Sequence, residues 1–383
     1  MLSEGIKFKG FNSAKSNIKV KKYLEQILKN RSQLFQSLGQ KYKDKYNINF
    51  IKNLVKKDDV RLIGVGGSSL GGQAIYNFLF DKVKKNFQFV DSISNKNKIK
   101  KKKITNLVIS KSGNTIETIT NANIFIKKKD NNIFVTENKK SYLYLLAKKL
   151  KAEIIHHNNF IGGRYSVLSE VGMLPAELMG FKADNFRQLN NIIKNKFFLE
   201  ALIANVSSTL YFIKKNKFNS IIVNYDEKSE SLFKWYQQLV AESLGKKKKG
   251  LLPIISNMPK DNHSVMQLYL DGFKNNFFTF FYVHEKKSEK INNHEILSST
   301  SYLKNKDISK IIFAQKKATE NIFKKKNIPF RSFEIMNRDE KTLGELFCFF
   351  ILETILIGKS LNLNPYDQPA VELIKKETKN LLI

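Results

Sequence analysis

Short apolar runs alternate with stretches of helical periodicity through the first half of the chain. Bounded by polar or glycine-containing segments, these runs are typical of buried strands. They are RLIGVG (61–66), FQFV (87–90), ITNLVIS (104–110), NNIFVT (131–136) and AEIIHH (152–157). Helices are expected between them, for example over 115–126 and 141–150. The alternation predicts a parallel sheet with helices on both faces, in a domain spanning residues 41–182.

A second alternation follows over residues 183–335. A helix is expected over 185–215 and another over 229–243. The apolar runs are FNSIIVNY (218–225), LLPIISN (251–257), FFTFFYV (277–283) and FRSFEI (330–335). The fold class is therefore predicted as α/β, with two domains that each hold a mostly parallel sheet between two layers of helices.

Helical segments are expected at both ends of the chain, over 1–40 and over 336–383. The first contains an amphipathic helix at 18–39. The second contains LGELFCFFILETILIG (343–358), which is too short for a membrane span and carries Glu345 and Glu353. A buried helix is expected there, and Thr342 and Glu345 have capping-box spacing at its start.

The net charge of +33 raises the possibility of nucleic-acid binding. However, only six of the 67 basic residues are arginine, the side chain best suited to bidentate phosphate and base contacts. The lysines are spread along the chain, and the runs at 96–104 and 245–250 are expected to be solvated loops. No nucleic-acid partner is therefore predicted, although a positive field would attract anionic metabolites.

The few cysteines and histidines limit the kinds of covalent link and metal site that the chain can form. The single cysteine, Cys348, excludes an internal disulfide, and the five histidines show no metal-ligand spacing, so no metal site is expected. The first twenty residues lack the apolar core of a signal peptide. A cytoplasmic protein without a membrane partner is predicted.

The loop IGVGGSSLGGQ (63–73) begins like a dinucleotide-binding fingerprint, and Asp91 stands where a ribose-binding acid is expected. Ser69 occupies the place of the third glycine, which favours a small anion instead. A second loop, in LVISKSGNTIET (107–118), leads into a helix whose free N–H groups suit an anion. Asn114 and Glu117 there have capping-box spacing. No nucleotide P-loop lysine is present, so a small phosphate ester is the predicted ligand.

These two loops are the first of six motifs that resemble the glucose-6-phosphate isomerase family. The others, in the family's order, are GGRYSVLSEVGMLP (162–175), ESLGKKKKG (242–250), DNHSVMQLYLDG (261–272) and YDQPAVELIK (366–375). The resemblance implies two sugar-isomerase (SIS) domains and a homodimer. It also implies cofactor-free interchange of glucose 6-phosphate and fructose 6-phosphate through a cis-enediolate, as a ketol-isomerase of glycolysis and gluconeogenesis.

Four catalytic residues follow from the resemblance. Glu242 matches the base that moves the proton between neighbouring carbons. His263 matches the histidine that opens the sugar ring and reaches the site from the other subunit. Arg164 matches the group that stabilises the enediolate oxygens, a role suited to a fixed guanidinium fork. Lys375 matches a lysine that contacts substrate and assists ring opening.

The substrate-binding residues implied by the same motifs lie in four segments. They are Gly67, Ser68, Ser110, Lys111, Ser112, Thr115, Gly163 and Gln368. Asn114 and Ile116 depart from the threonines usual in the phosphate loop, and Ala370 replaces a usual glycine. These departures leave open a related isomerase with broader sugar specificity, including mannose 6-phosphate.

Two alternatives come from other functional classes. A sugar-phosphate sensor on the same fold would need the anion loop but not Glu242, His263 and Arg164 together. A nucleic-acid-binding protein driven by its lysines would bind with steep salt dependence.

Overall fold

The computed structural model describes residues 1–11, 17–29, 32–56, 58–94 and 103–383. The strands in these residues are β1 (Ile6–Lys9), β2 (Asp59–Ile63), β3 (Phe87–Val90), β4 (Ile104–Ile109), β5 (Asn132–Thr136), β6 (Glu153–His156), β7 (Asn219–Asn224), β8 (Leu252–Asn257), β9 (Asn276–Val283) and β10 (Phe330–Ile335). The α-helices are α1 (Ile18–Lys29), α2 (Gln33–Ser37), α3 (Ile48–Val55), α4 (Leu70–Phe78), α5 (Ile116–Phe125), α6 (Tyr142–Leu150), α7 (Glu170–Leu178), α8 (Ala183–Phe186), α9 (Leu189–Ile192), α10 (Lys196–Lys214), α11 (Glu230–Leu244), α12 (Met266–Asp271), α13 (Ile308–Lys325), α14 (Glu340–Ser360) and α15 (Pro369–Leu381).

The first sheet has the order β3-β2-β4-β5-β6, and every pair in it is parallel. Leu62 in β2 pairs with Phe89 on one side and Leu107 on the other. All five strands predicted over 61–157 form, because strands covered on both faces have nearly continuous apolar sequences. The carboxyl ends of β2 and β4 lead directly into the two polar loops.

The second sheet has the order β1-β10-β9-β7-β8. It is parallel except for β1, which pairs antiparallel with β10 at Ile6 and Ile335. The prediction of a purely helical segment over 1–40 therefore misses a strand. Its sequence, IKFK, is too short to show a period, and its pairing partner lies at the far end of the chain. The predicted fold class, with two mostly parallel sheets and a helical C-terminal segment, is confirmed.

Two predicted helices are divided. The stretch over 18–39 contains α1 and α2, with residues 30–31 outside the described part. The stretch over 185–215 holds the end of α8, all of α9 and α10. The side chain of Asn195 accepts the Phe198 N–H and caps the start of α10. The four-part domain division remains a prediction, although the first sheet falls within residues 41–182.

Helix α14 forms the centre of the core, as predicted for 343–358, and its residues 342–358 are buried. Its start differs from the expected capping box, because Asp339 caps it by accepting the Thr342 N–H at 2.8 Å. Glu353 is ion-paired with the buried Arg331 of β10. Among the described helices, only α10 has the length and hydropathy of a membrane span. Half of that stretch is buried, as in a core helix of a folded domain.

Helices α4 and α11 pack against each other and join the two halves of the molecule. The end of α4 meets the start of α11, where the Asn77 amide donates to Ser231 Oγ at 2.6 Å. The glycine loop before α4 meets the last turns of α11. The two helices are therefore antiparallel, and this packing brings the first loop beside Glu242.

Candidate active site

The carboxylate of Glu242 lies near the end of α11 and is fixed at both oxygens. The amide of Gln238, one turn earlier, donates to Oε1 at 2.8 Å, and Arg164 donates to Oε2 at 3.1 Å. The side chain is 30% exposed, so a small molecule can reach it. A carboxylate held by directed donors and open to ligand has the geometry of a general base.

Arg164 is 2% exposed, and all its guanidinium nitrogens donate hydrogen bonds. The acceptors are Ser243 Oγ at 2.8 Å, Glu242 Oε2 at 3.1 Å, Gln368 Oε1 at 2.7 Å, the Pro365 carbonyl at 2.7 Å and the Asp367 carbonyl at 3.0 Å. Lysine could satisfy no more than three of these five acceptors. This explains an arginine here in a chain that otherwise uses lysine.

Tyr165 and Ser243 complete the support of Arg164. The Tyr165 hydroxyl lies 2.9 Å from the Pro365 carbonyl and 2.8 Å from Ser243 Oγ. Because a carbonyl only accepts, Tyr165 must donate its single proton to Pro365. Ser243 must then donate to Tyr165 while it accepts from Arg164. Burial raises the pKa of the Tyr165 hydroxyl, which preserves it as a donor at neutral pH.

The glycine loop fits closely against the loop that carries Arg164. A Cβ on Gly67 would stand 2.2 Å from the carbonyl carbon of Gly163, so only glycine allows this approach. Gly66 has φ +59° and lies under the amide of Gln238. Ser68 closes the short 3₁₀ helix of this loop. The loop is therefore in direct contact with the residues around Glu242.

The second loop gathers three hydroxyl groups at the start of α5. Thr115 Oγ1 lies 3.0 Å from Ser110 Oγ and 3.5 Å from Ser112 Oγ. Gly113 turns the chain with φ +66°, at a point where a Cβ would collide with Ser141. Hydroxyls and free N–H groups at a helix start are suited to hold an anion, and the anion site expected from the sequence stays a prediction.

Two details of this loop differ from the expectation. The cap residue of α5 is Thr115, not Asn114. The Asn114 side chain instead accepts the Tyr142 N–H at 2.9 Å and ties the loop to α6. Lys111 donates to the Asn159 carbonyl at 2.9 Å and lies 3.5 Å from Glu137. In the structure its ammonium is thus engaged with protein groups beside the anion site.

The lysine turn over 245–250 is not simply a solvated loop, which corrects the sequence prediction. Lys246 is 11% exposed and pairs with Asp367 at 2.6 Å. Lys249 donates to the Leu361 carbonyl at 3.1 Å. The prediction of a solvated loop failed because the acceptors of these two lysines lie in residues 361–367, more than 100 positions later in the chain. In the other lysine run, 96–104, residues 95–102 lie outside the described part of the chain.

The structure does not bring His263 or Lys375 to Glu242. His263 ends a short 3₁₀ helix (Lys260–His263) and is exposed, and it makes no hydrogen bond or ion pair to another described residue. The neighbouring Asp261 accepts instead from the Asn257 N–H at 2.8 Å and from Ser264. Lys375 lies on α15, which has no buried residue, and pairs with Glu372 at 2.6 Å.

Four functional side chains were missed in the sequence. Gln238 stands one helical turn before Glu242, and that spacing was an available signal. Tyr165, Ser243 and Lys246 lie within motifs already noted. The roles of Tyr165 and Lys246 depend on contacts with residues 364–367, and that of Ser243 on its contacts with Arg164 and Tyr165. The acid Asp91, considered for a ribose, instead accepts from Gln73 at 2.7 Å. In the described part of the chain, no three His, Cys, Asp or Glu side chains form a possible metal site.

Comparison with known proteins assigns the chain to a family. The phosphoglucose isomerase family matches residues 14–382. A glucose-6-phosphate isomerase of Methanocaldococcus jannaschii is 32% identical over 355 residues, which are 86% of each chain.

Two solved structures show the same fold. A hypothetical protein from Thermus thermophilus superposes with a TM-score of 0.83 at 22% identity, over 95% of this chain and 94% of that one. A glucose-6-phosphate isomerase from Chlamydia trachomatis gives a TM-score of 0.79 at 17% identity, over 99% and 89%. With the family match over nearly all its length, the chain belongs to the phosphoglucose isomerase family.

Proposed function

We propose that this chain catalyses the reversible aldose–ketose isomerisation of glucose 6-phosphate and fructose 6-phosphate. The observation that carries the proposal is the open carboxylate of Glu242, held between Arg164 and Gln238 beside the three-hydroxyl anion loop. Glu242 would take the proton from the carbon next to the sugar carbonyl. The same carboxylate would then return it to the neighbouring carbon, serving first as base and then as acid.

Arg164 would stabilise the negative charge that develops on the sugar oxygens in the enediolate. Its guanidinium is already oriented by five acceptors and is buried from solvent, so it needs little reorganisation during the reaction. Gly67, Ser68 and Gly163 would line the sugar, and Gln368 would contact it beside Arg164. Ser110, Ser112 and Thr115 would bind the phosphate, with Lys111 at the edge of that site.

Opening of the sugar ring would involve His263 and Lys375. His263 would come from a second copy of the chain, which makes a homodimer part of the proposed mechanism. Its exposed side chain, which makes no hydrogen bond or ion pair to another described residue, is compatible with a role at such an interface. Lys375 would act after α15 has moved towards Glu242. The cytoplasmic location and the place in glycolysis and gluconeogenesis remain predictions from the sequence.

The test is turnover of fructose 6-phosphate to glucose 6-phosphate by the purified protein with a chelator present. Replacing the base in Glu242→Gln is expected to lower kcat by about 10²–10⁴-fold, the usual contribution of a general base. Glu230→Gln, at the other end of α11, is the matched control and should retain full activity.

Either of two results would contradict the proposal. Folded wild-type protein that binds sugar phosphate saturably without turnover would favour a sensor. Full activity in Glu242→Gln would leave the proposed reaction standing but would exclude Glu242 as its general base.

A further inference from the structure

We propose that Lys246 is a positioning residue for the isomerase reaction. Through Asp367 it holds residues 361–368 in place, so that Gln368 and the peptide carbonyls around it keep Arg164 aligned with Glu242. This inference rests on the proposed function and adds a role for the lysine turn over 245–250.

The four lysines in the turn after α11 have different surroundings. Lys246 and Lys249 pair across a two-residue turn, whose central residues Lys247 and Lys248 have φ +52° and +58°. Non-glycine residues favour this conformation only where the surrounding structure enforces it. Lys247 and Lys248 are exposed, whereas Lys246 turns towards the C-terminal segment.

Lys246 fixes Asp367 together with Asn364. Its ammonium lies 2.6 Å from Asp367 Oδ1 and also donates to the Asn364 carbonyl. The Asn364 amide donates to Asp367 Oδ2 at 2.9 Å. Both carboxylate oxygens are thus held, and the Lys246 ammonium lowers the pKa of Asp367, which keeps that partner charged.

Asp367 connects this anchor to the active site. Its carbonyl accepts from Arg164 at 3.0 Å, and the next residue, Gln368, accepts from Arg164 at 2.7 Å. The same Arg164 nitrogen that binds Gln368 also donates to Glu242. Because Lys246 lies in the turn directly after the helix that carries Glu242, the contacts form a closed ring. A shift of Asp367 would therefore move Arg164 relative to the base.

The ion pair has little effect on stability by itself, because the Asp367 side chain is 52% exposed. Its loss should therefore alter the geometry of the site more than the folding of the chain. Displacing a catalytic group by about 1 Å can cost about 10²-fold in rate, so a partly loosened segment should lower kcat by about 10-fold.

The experiment compares Lys246→Gln, Asp367→Asn and the double variant with Lys247→Gln as the matched control. Lys246→Gln and Lys247→Gln each remove one positive charge. Any effect of the protein's electrostatic field on the anionic substrate is therefore the same in both variants. Lys246→Gln and Asp367→Asn should each lower kcat for fructose 6-phosphate by about 10-fold, with Tm within about 3 °C of wild type.

The double variant should be no slower than the slower single variant, because both remove the same interaction. Lys246→Arg keeps the charge and should recover most of the turnover, whereas Lys247→Gln should match wild type. Equal kcat for Lys246→Gln and Lys247→Gln would overturn the inference. The inference would also be overturned if the fold loss of kcat in the double variant equalled the product of the losses in the two single variants. Inactive wild-type protein would instead refute the proposed function.

Discussion

The hydroxyl of Tyr165 offers a direct test of the support around Arg164. Tyr165→Phe removes one oxygen from a side chain that is 1% exposed and leaves the ring in place. The Pro365 carbonyl keeps its bond from Arg164 at 2.7 Å, so the main loss falls on Ser243, whose buried hydroxyl loses its acceptor. An unsatisfied buried donor costs about 1–3 kcal/mol, and we expect the free energy of unfolding to fall by about 2 kcal/mol.

The assay is urea unfolding followed by the fluorescence of the only tryptophan, Trp235, which is buried against Phe347 at a ring distance of 4.8 Å. Tyr366→Phe is the matched control. That side chain is 40% exposed, and its hydroxyl makes no hydrogen bond within the described chain, so its effect should stay below about 0.5 kcal/mol. Equal unfolding free energies for the two variants would refute the assigned direction of the hydrogen bonds.

Two further predictions concern the glycine loop and the acid stability of the second sheet. Gly67→Ala should lower kcat by about 10²-fold, because its Cβ would stand 2.3 Å from the Gly163 carbonyl oxygen and force the two loops apart. Gly72→Ala, whose nearest contact is 3.5 Å, should stay active in the same turnover assay, and equal loss in both would contradict the explanation. Burial alone would raise the pKa of Glu334, but the ammonium groups of Lys316 and Lys317 hold it at about 2. A lowered carboxyl pKa stabilises the fold above the unfolded value of 4.5 and loses this contribution as pH falls towards 2. Glu334→Gln should therefore flatten the loss of stability in acid titrations over that window, and an unchanged slope would contradict it.

The loop at the start of α5 and the carboxylate of Glu242 show how much of the candidate site could be predicted from the sequence. Ser110, Ser112 and Thr115 are close in the chain and follow a buried strand, so their convergence at a helix start could be predicted from local rules. Glu242 was identified through a motif, but its fixed orientation was not. That orientation depends on Arg164, which is far from it in sequence and reaches it because the segment Gly163–Leu168 packs against α11.

The sequence by itself determined the two alternating α/β regions, the buried helix over 343–358 and the two glycine-containing loops that follow β2 and β4. These features follow from periodicity, turn residues and helix-start chemistry, which act over a few residues. The tertiary structure alone decided the edge strand Ile6–Lys9, the ion pair of Lys246 with Asp367 and the five acceptors of Arg164. Each of these depends on atoms contributed by distant segments. A partner that is remote in sequence leaves no mark on local hydrophobic pattern, so only the folded chain reveals it.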